Sequence, residues 1–172
     1  MAAELEHWHD FYLLLGTAGA TLVALLFVAV SLGVGYLTPE RSTATRLFMS
    51  PVVIHFASVF FVAAISLVPS HAPAFFAGLI GATAVIGILV SAVITVQVVR
   101  TDLTHHVSDY FAYGLLPAIG YGALLAAAIM IATDRDSGLD LLGGGLLLLL
   151  IVNIRNAWDL TLTMVQRHNG SG

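Results

Sequence analysis

Five apolar stretches, residues 11–37, 47–68, 74–99, 110–133 and 139–165, fill this chain and leave no more than ten residues between one and the next. A bilayer crossing takes about 20 consecutive apolar residues in a helix, and a helix satisfies its own backbone N–H and C=O groups where no water can. Each stretch is long enough. The expected fold class is therefore all-α, a single transmembrane domain over residues 1–172 built as a five-helix bundle. With 59% hydrophobic and 9% charged residues, against roughly 25% charged in a soluble domain, a soluble enzyme is excluded.

The breaks carry ordinary helix punctuation: Thr38-Pro39-Glu40, the tight Pro69-Ser70-His71-Ala72-Pro73 hairpin, residues 100–109, and residues 134–138. Glu4, Glu6 and Asp10 precede the first stretch without any Lys or Arg, so the positive start of a secretory signal is missing and the first helix is expected to be retained. Arg41, Arg46, Arg100 and Arg167 all fall on one side of the predicted bundle, and Arg135, between Asp134 and Asp136, on the other. Positive residues mark the cytoplasmic side. The N-terminus is thus expected outside and the C-terminus inside, in a bacterial inner membrane, which the all-Arg basicity and abundant Ala also fit. The outer side then carries six carboxylates against one Arg, either a mouth that concentrates cations or simply a consequence of excluding Arg from translocated loops.

Zero cysteines remove disulfides, thiolate metal sites and cysteine nucleophiles together. A net charge of -4 with no basic stripe argues against nucleic acid as a partner. The chain holds no phosphate-binding loop, no Gly-x-Ser-x-Gly and no His-Glu-x-x-His, so no enzymatic activity is expected.

The last stretch is interrupted by Asn153, Arg155, Asn156 and Asp159. A central Arg or Asp costs about 2.5–3.5 kcal/mol on insertion scales, so such residues are expected to face protein or water. At 100° per residue Arg155, Asn156, Asp159, Thr163 and Gln166 fall within one arc, a single polar stripe. Matching depths at 1.5 Å per residue brings other polar positions to the same level and predicts a belt of His55, Ser58, Ser91, Thr95, Arg155, Asn156 and Asp159. Within it, His55 reads as a proton-responsive group or as a neutral imidazole bonded to Ser58. The Arg155–Asp159 pair reads as a functional charge or as an ion pair that locks two helices.

Helix packing is the simplest reading of two small-residue ridges, Thr83-Gly87-Ser91-Thr95 in the third stretch and Gly16-Ala20-Ala24 in the first. Gly114, Pro117, Gly120 and Gly122 predict a bent fourth helix. On the outer face His7, His9 and His71 could ligate a divalent metal, or be solvated histidines beside a Trp8 anchor. Haem is disfavoured, because His55 is the one histidine at mid-membrane depth and bis-histidine ligation needs two.

The run His7-Trp8-His9-Asp10-Phe11-Tyr12, followed by Gly16-Thr17-Ala18-Gly19-Ala20 and Leu26-Phe27-Val28-Ala29-Val30-Ser31-Leu32, resembles the opening of a group of small uncharacterised bacterial multi-pass membrane proteins. The resemblance covers about 25 residues and implies no activity. From the residues themselves the leading expectation is an oligomeric ion channel or passive ion conductor with the belt as its constriction. The rivals are a non-conducting accessory or scaffold protein that docks a membrane partner, and a metal-responsive transport protein. Lipid, ions and a second copy of the chain are the expected partners.

Overall fold

A computed structural model describes residues 2–33, 39–68, 72–101, 111–135 and 137–169. Among these residues the chain is all helix and turn. Helix α1 (Ala2–His7) leads into α2 (His9–Gly33), followed by α3 (Pro39–Ser66), α4 (Pro73–Thr101), a π-helical turn (Phe111–Leu115) that runs directly into α5 (Leu116–Ala132), and α6 (Gly138–Asn169). Four segments are long and apolar enough to cross a membrane, His9–Ala29, Pro73–Gln97, Ala112–Ala132 and Gly138–Asp159, while Pro51–Ser66 is a shorter apolar helix.

Two boundaries depart from the expectation for identifiable reasons. Helix α3 begins at Pro39, eight residues before its apolar stretch, because proline at the first helical position lacks only an N–H that would be unpaired there in any case. Helix α4 begins at Pro73 in the same way. The short α1 was missed, being polar and without an apolar period.

Helices α3, α4, α5 and α6 form a closed ring of neighbours, and α2 lies across α3 and α6. Two fully buried rings, Phe56 and Phe76, and the buried Leu124, Leu142, Leu146 and Leu149 fill the centre. Backbones approach most closely where glycines permit. A side chain at Gly19 would lie 3.3 Å from the backbone of Phe56 and Phe60, and one at Gly16 would lie 3.4 Å from Ala63. The expected Gly16-Ala20-Ala24 ridge is corrected accordingly: Gly16 and Gly19 are buried against α3, and Ala20 and Ala24 are exposed. The buried positions Tyr12, Leu15, Gly16, Gly19 and Leu26 recur at steps of three, four and seven, the helical period of the seam.

At the α6 N-terminal end, Trp8, Phe11 and Tyr12 form an aromatic cluster with centroid separations of 5.2–6.0 Å, Phe11 standing edge-on to both other rings. Trp8 and Phe11 cover Gly143 of α6. Helices α2 and α6 thus start on the same side of the bundle.

Candidate functional site

The ring of helices encloses a polar centre. His55 of α3 is 1% exposed, and its Nδ1 lies 2.8 Å from the hydroxyl of Tyr121 on α5. That hydroxyl donates to Ser58 Oγ at 3.0 Å, and Ser58 Oγ donates to the carbonyl of Ile54 one turn earlier, at 2.8 Å. Each hydroxyl has a single hydrogen. Ser58 spends its own on Ile54, so it can only accept from Tyr121, and Tyr121, having spent its own on Ser58, can only accept from His55. With this direction of donation the imidazole carries its hydrogen on Nδ1. Its Nε2 is a buried lone pair with no hydrogen-bond partner.

Gly87 makes this arrangement possible. The Tyr121 ring occupies the space a Cβ on Gly87 would need, so the ring lies directly against the α4 backbone and its hydroxyl reaches α3 on the far side of the core. Ser91 and Thr95 continue the same face of α4, but their hydroxyls donate to the carbonyls of Gly87 (2.9 Å) and Ser91 (2.8 Å) within the helix. Thr95 packs over Gly114 of the π turn. The ridge on α4 is a packing surface for α5, as its spacing suggested.

A second polar cluster lies where α6 meets the π turn. In a π register each carbonyl accepts from the N–H five residues on; for Ala112 that residue is Pro117, which has none. Asn156 Nδ2 donates to the Ala112 carbonyl at 2.9 Å, and Tyr113 Oη donates to the Asn156 carbonyl at 3.2 Å. Asn153, fully buried one turn earlier, donates through Nδ2 to Leu149 O at 2.7 Å. The Oδ1 atoms of Asn153 and Asn156 are both buried without a donor.

The expected belt is therefore divided. His55, Ser58, Ser91 and Asn156 are buried, and Thr95 is half-buried. Arg155 and Asp159 are not buried within the single chain: they pair with each other at 3.8 Å along α6 with 50% and 43% of their side chains exposed, and neighbouring Trp158 is 63% exposed. Arg155 and Asn156 stand 100° apart on the helix, at opposite edges of the predicted stripe, and the edge of the core falls between them. Thr163 and Gln166 lie outside the described side chains. His55 and Ser58 do not bond directly; Tyr121 links them. Tyr121, Tyr113 and Asn153 are the polar partners absent from the predicted set. An aromatic in an apolar run reads as core from sequence, and only the need of a buried Tyr hydroxyl for a partner would have raised Tyr121.

His7 and His9 are exposed at the α1–α2 junction, and His71 lies outside the described residues. Among the described residues no group of three His, Cys, Asp or Glu converges as metal ligands would. No family model, curated protein or solved structure matches the chain.

Proposed function

We propose that this chain is a five-span membrane protein, N-terminus outside, that assembles as a homo-oligomer and belongs to the ion-conducting class, with the proton as its ion and His55 as the group that takes it. One observation carries the reading: a neutral imidazole, held by its Nδ1–H on Tyr121, keeps an unpartnered Nε2 lone pair in the middle of an apolar bundle. Intramembrane histidines mark proton relays and ion pathways, and a chain with no cysteine and so few carboxylates in its core has little else with which to handle an ion. The length of α3, 28 residues, supports a fifth crossing, with Pro51–Ser66 as its shorter apolar part. Arg155 and Asp159, about half exposed on the single chain, are not part of the hydrogen-bonded cluster around His55.

In the present conformation the donor chain from His55 ends at the Ile54 carbonyl, so passage beyond Tyr121 requires Ser58 to rotate. The test is proton uptake into proteoliposomes under a potassium diffusion potential. The unmodified protein is expected to admit protons, and His55→Gln to abolish the flux. No flux from correctly folded protein at any potential overturns conduction and favours the accessory reading, for which the exposed Arg155–Asp159 face is the specific support.

A further inference from the structure

The polar groups of the core are unevenly shared between the two halves of the bundle. Toward the α6 N-terminal side of Tyr121, the centre is closed by Val59, Val62, Ile80, Leu124, Leu142 and Leu146, all buried. Ser66 lies in that half too, with its hydroxyl donated to Val62 O at 2.8 Å, and so does the buried Tyr12 hydroxyl, a single polar atom without a hydrogen-bond partner. Toward the α6 C-terminal side lie three unpartnered acceptors: His55 Nε2, Asn153 Oδ1 and Asn156 Oδ1.

Their order along the bundle follows from the packing of α5 on α6. Gly120 meets Leu149 and Gly145, and Ala112 meets Asn156. Asn153 therefore lies between those levels, on the Asn156 side of Tyr121. His55 precedes Ser58 in α3 and its side chain tilts toward the α3 N-terminus, which is the same direction. The three acceptors span about nine residues of α5, or roughly 13 Å at 1.5 Å per residue. All three need donors, and no described side chain supplies one.

Buried acceptors without protein donors are the places where internal water is held, and each such water needs two to four polar partners. Water, with two hydrogens, can give one to each of two successive acceptors. We propose that His55 communicates with one side of the membrane only, the side of the α6 C-terminus, through a file of water molecules held by Asn153 and Asn156, and that the apolar layer above Tyr121 closes the other side. This rests on the reading of His55 as the acting group and adds the direction from which it is reached.

The chain has no cysteine, so single substitutions can be labelled without background. Asn153→Cys in oriented vesicles is expected to react with a small membrane-impermeant thiol reagent applied at the α6 C-terminal side and not from the other, while Ile80→Cys stays unreactive from both. Reaction of Asn153→Cys from the opposite side, or only after denaturation, overturns the proposal. The unmodified protein offers a second readout that does not depend on a variant folding. Radiolytic hydroxyl-radical footprinting, which oxidises side chains beside bound water, is expected to mark Tyr121 and His55 and to spare Phe76; equal protection of all three overturns the proposal. Neither readout requires flux. Labelling as expected without proton uptake leaves the water file supported and overturns only conduction; uptake without labelling does the reverse.

Discussion

Asn156 completes a backbone that Pro117 leaves incomplete. Its side-chain amide sits 2.9 Å from the Ala112 carbonyl, the acceptor whose π-register donor would be residue 117. The π-helical turn ahead of α5 and the asparagine buried in α6 are therefore two parts of one feature. An unsatisfied backbone carbonyl in hydrocarbon is costly, and a proline in a membrane helix is tolerated where a neighbouring helix supplies the missing donor. Tyr113, donating back to the Asn156 carbonyl, closes the contact from the other direction.

This dependence predicts a specific coupling. Asn156→Leu removes the donor and is expected to lower stability by about 1–3 kcal/mol, the cost of leaving a buried polar group unpaired. Pro117→Ala restores an N–H at that position, so in its background the same Asn156→Leu change should cost distinctly less. Unfolding of the four proteins in mixed micelles forms a double-mutant cycle. Equal costs in both backgrounds would show that Asn156 stabilises the bundle by packing alone.

Gly87 and Gly122 separate two roles for glycine within the same bundle. A Cβ on Gly87 would enter the Tyr121 ring, whereas one on Gly122 would meet nothing within 4 Å. Gly87→Ala is expected to destabilise by about 1–3 kcal/mol, as overpacking does, and to suppress proton uptake by displacing the Tyr121 hydroxyl from His55. Gly122→Ala should be neutral or slightly stabilising, since alanine is the better helix former. Thermal unfolding and flux assays on the pair read both effects.

Much of the architecture was legible because lipid-spanning helices announce themselves by length and composition: the four long apolar segments lie within two residues of expected stretches at most of their ends, and Pro39 and Pro73 explain two helix starts. The site was legible only in part. His55, Ser58, Ser91 and Asn156, expected in one polar belt, are each buried, but only His55 and Ser58 share a hydrogen-bonded cluster. Arg155 was expected to face protein or water because its charge makes lipid exposure costly; within the single chain it is half exposed, for a helical arc of 100° is wide enough for its two edges to meet different surroundings, and one sequence does not say which edge a neighbouring helix covers. Tyr121 was invisible for a different reason. Its partners lie more than 60 residues away, and its placement depends on the absence of a side chain at Gly87.

Donation from Tyr121 to Ser58 and from Ser58 to Ile54 implies one tautomer of His55, and that is directly measurable. In the unmodified protein, ¹⁵N spectra of labelled histidine should show His55 as the neutral Nδ1–H form, with Nε2 unprotonated. Tyr121→Phe removes the acceptor of that hydrogen and the donor to Ser58 together; His55 is then expected to shift toward the commoner Nε2–H form, with stability lowered by about 1–3 kcal/mol. Retention of a pure Nδ1–H signal in Tyr121→Phe would mean that another group orients the ring.

Arg155 and Asp159 are expected to contribute to assembly and little to the fold of a single chain. Their side chains are about half exposed and 3.8 Å apart, with Arg preceding Asp, the less favourable order for a helical pair. For such a pair the coupling within one protomer is commonly under about 1 kcal/mol. Exposure to lipid would be far more costly for both charges, and a second copy presenting the same face can offer Asp159 to Arg155 and Arg155 to Asp159, as a two-fold contact requires. Arg155→Asp is therefore expected to leave the melting of the isolated protomer nearly unchanged but to reduce the oligomer measured by native mass spectrometry, and Arg155→Asp combined with Asp159→Arg to restore it. Oligomers of unchanged size in the single variant would place the subunit contact on another face of the bundle, leaving this pair to the headgroups or to a different protein.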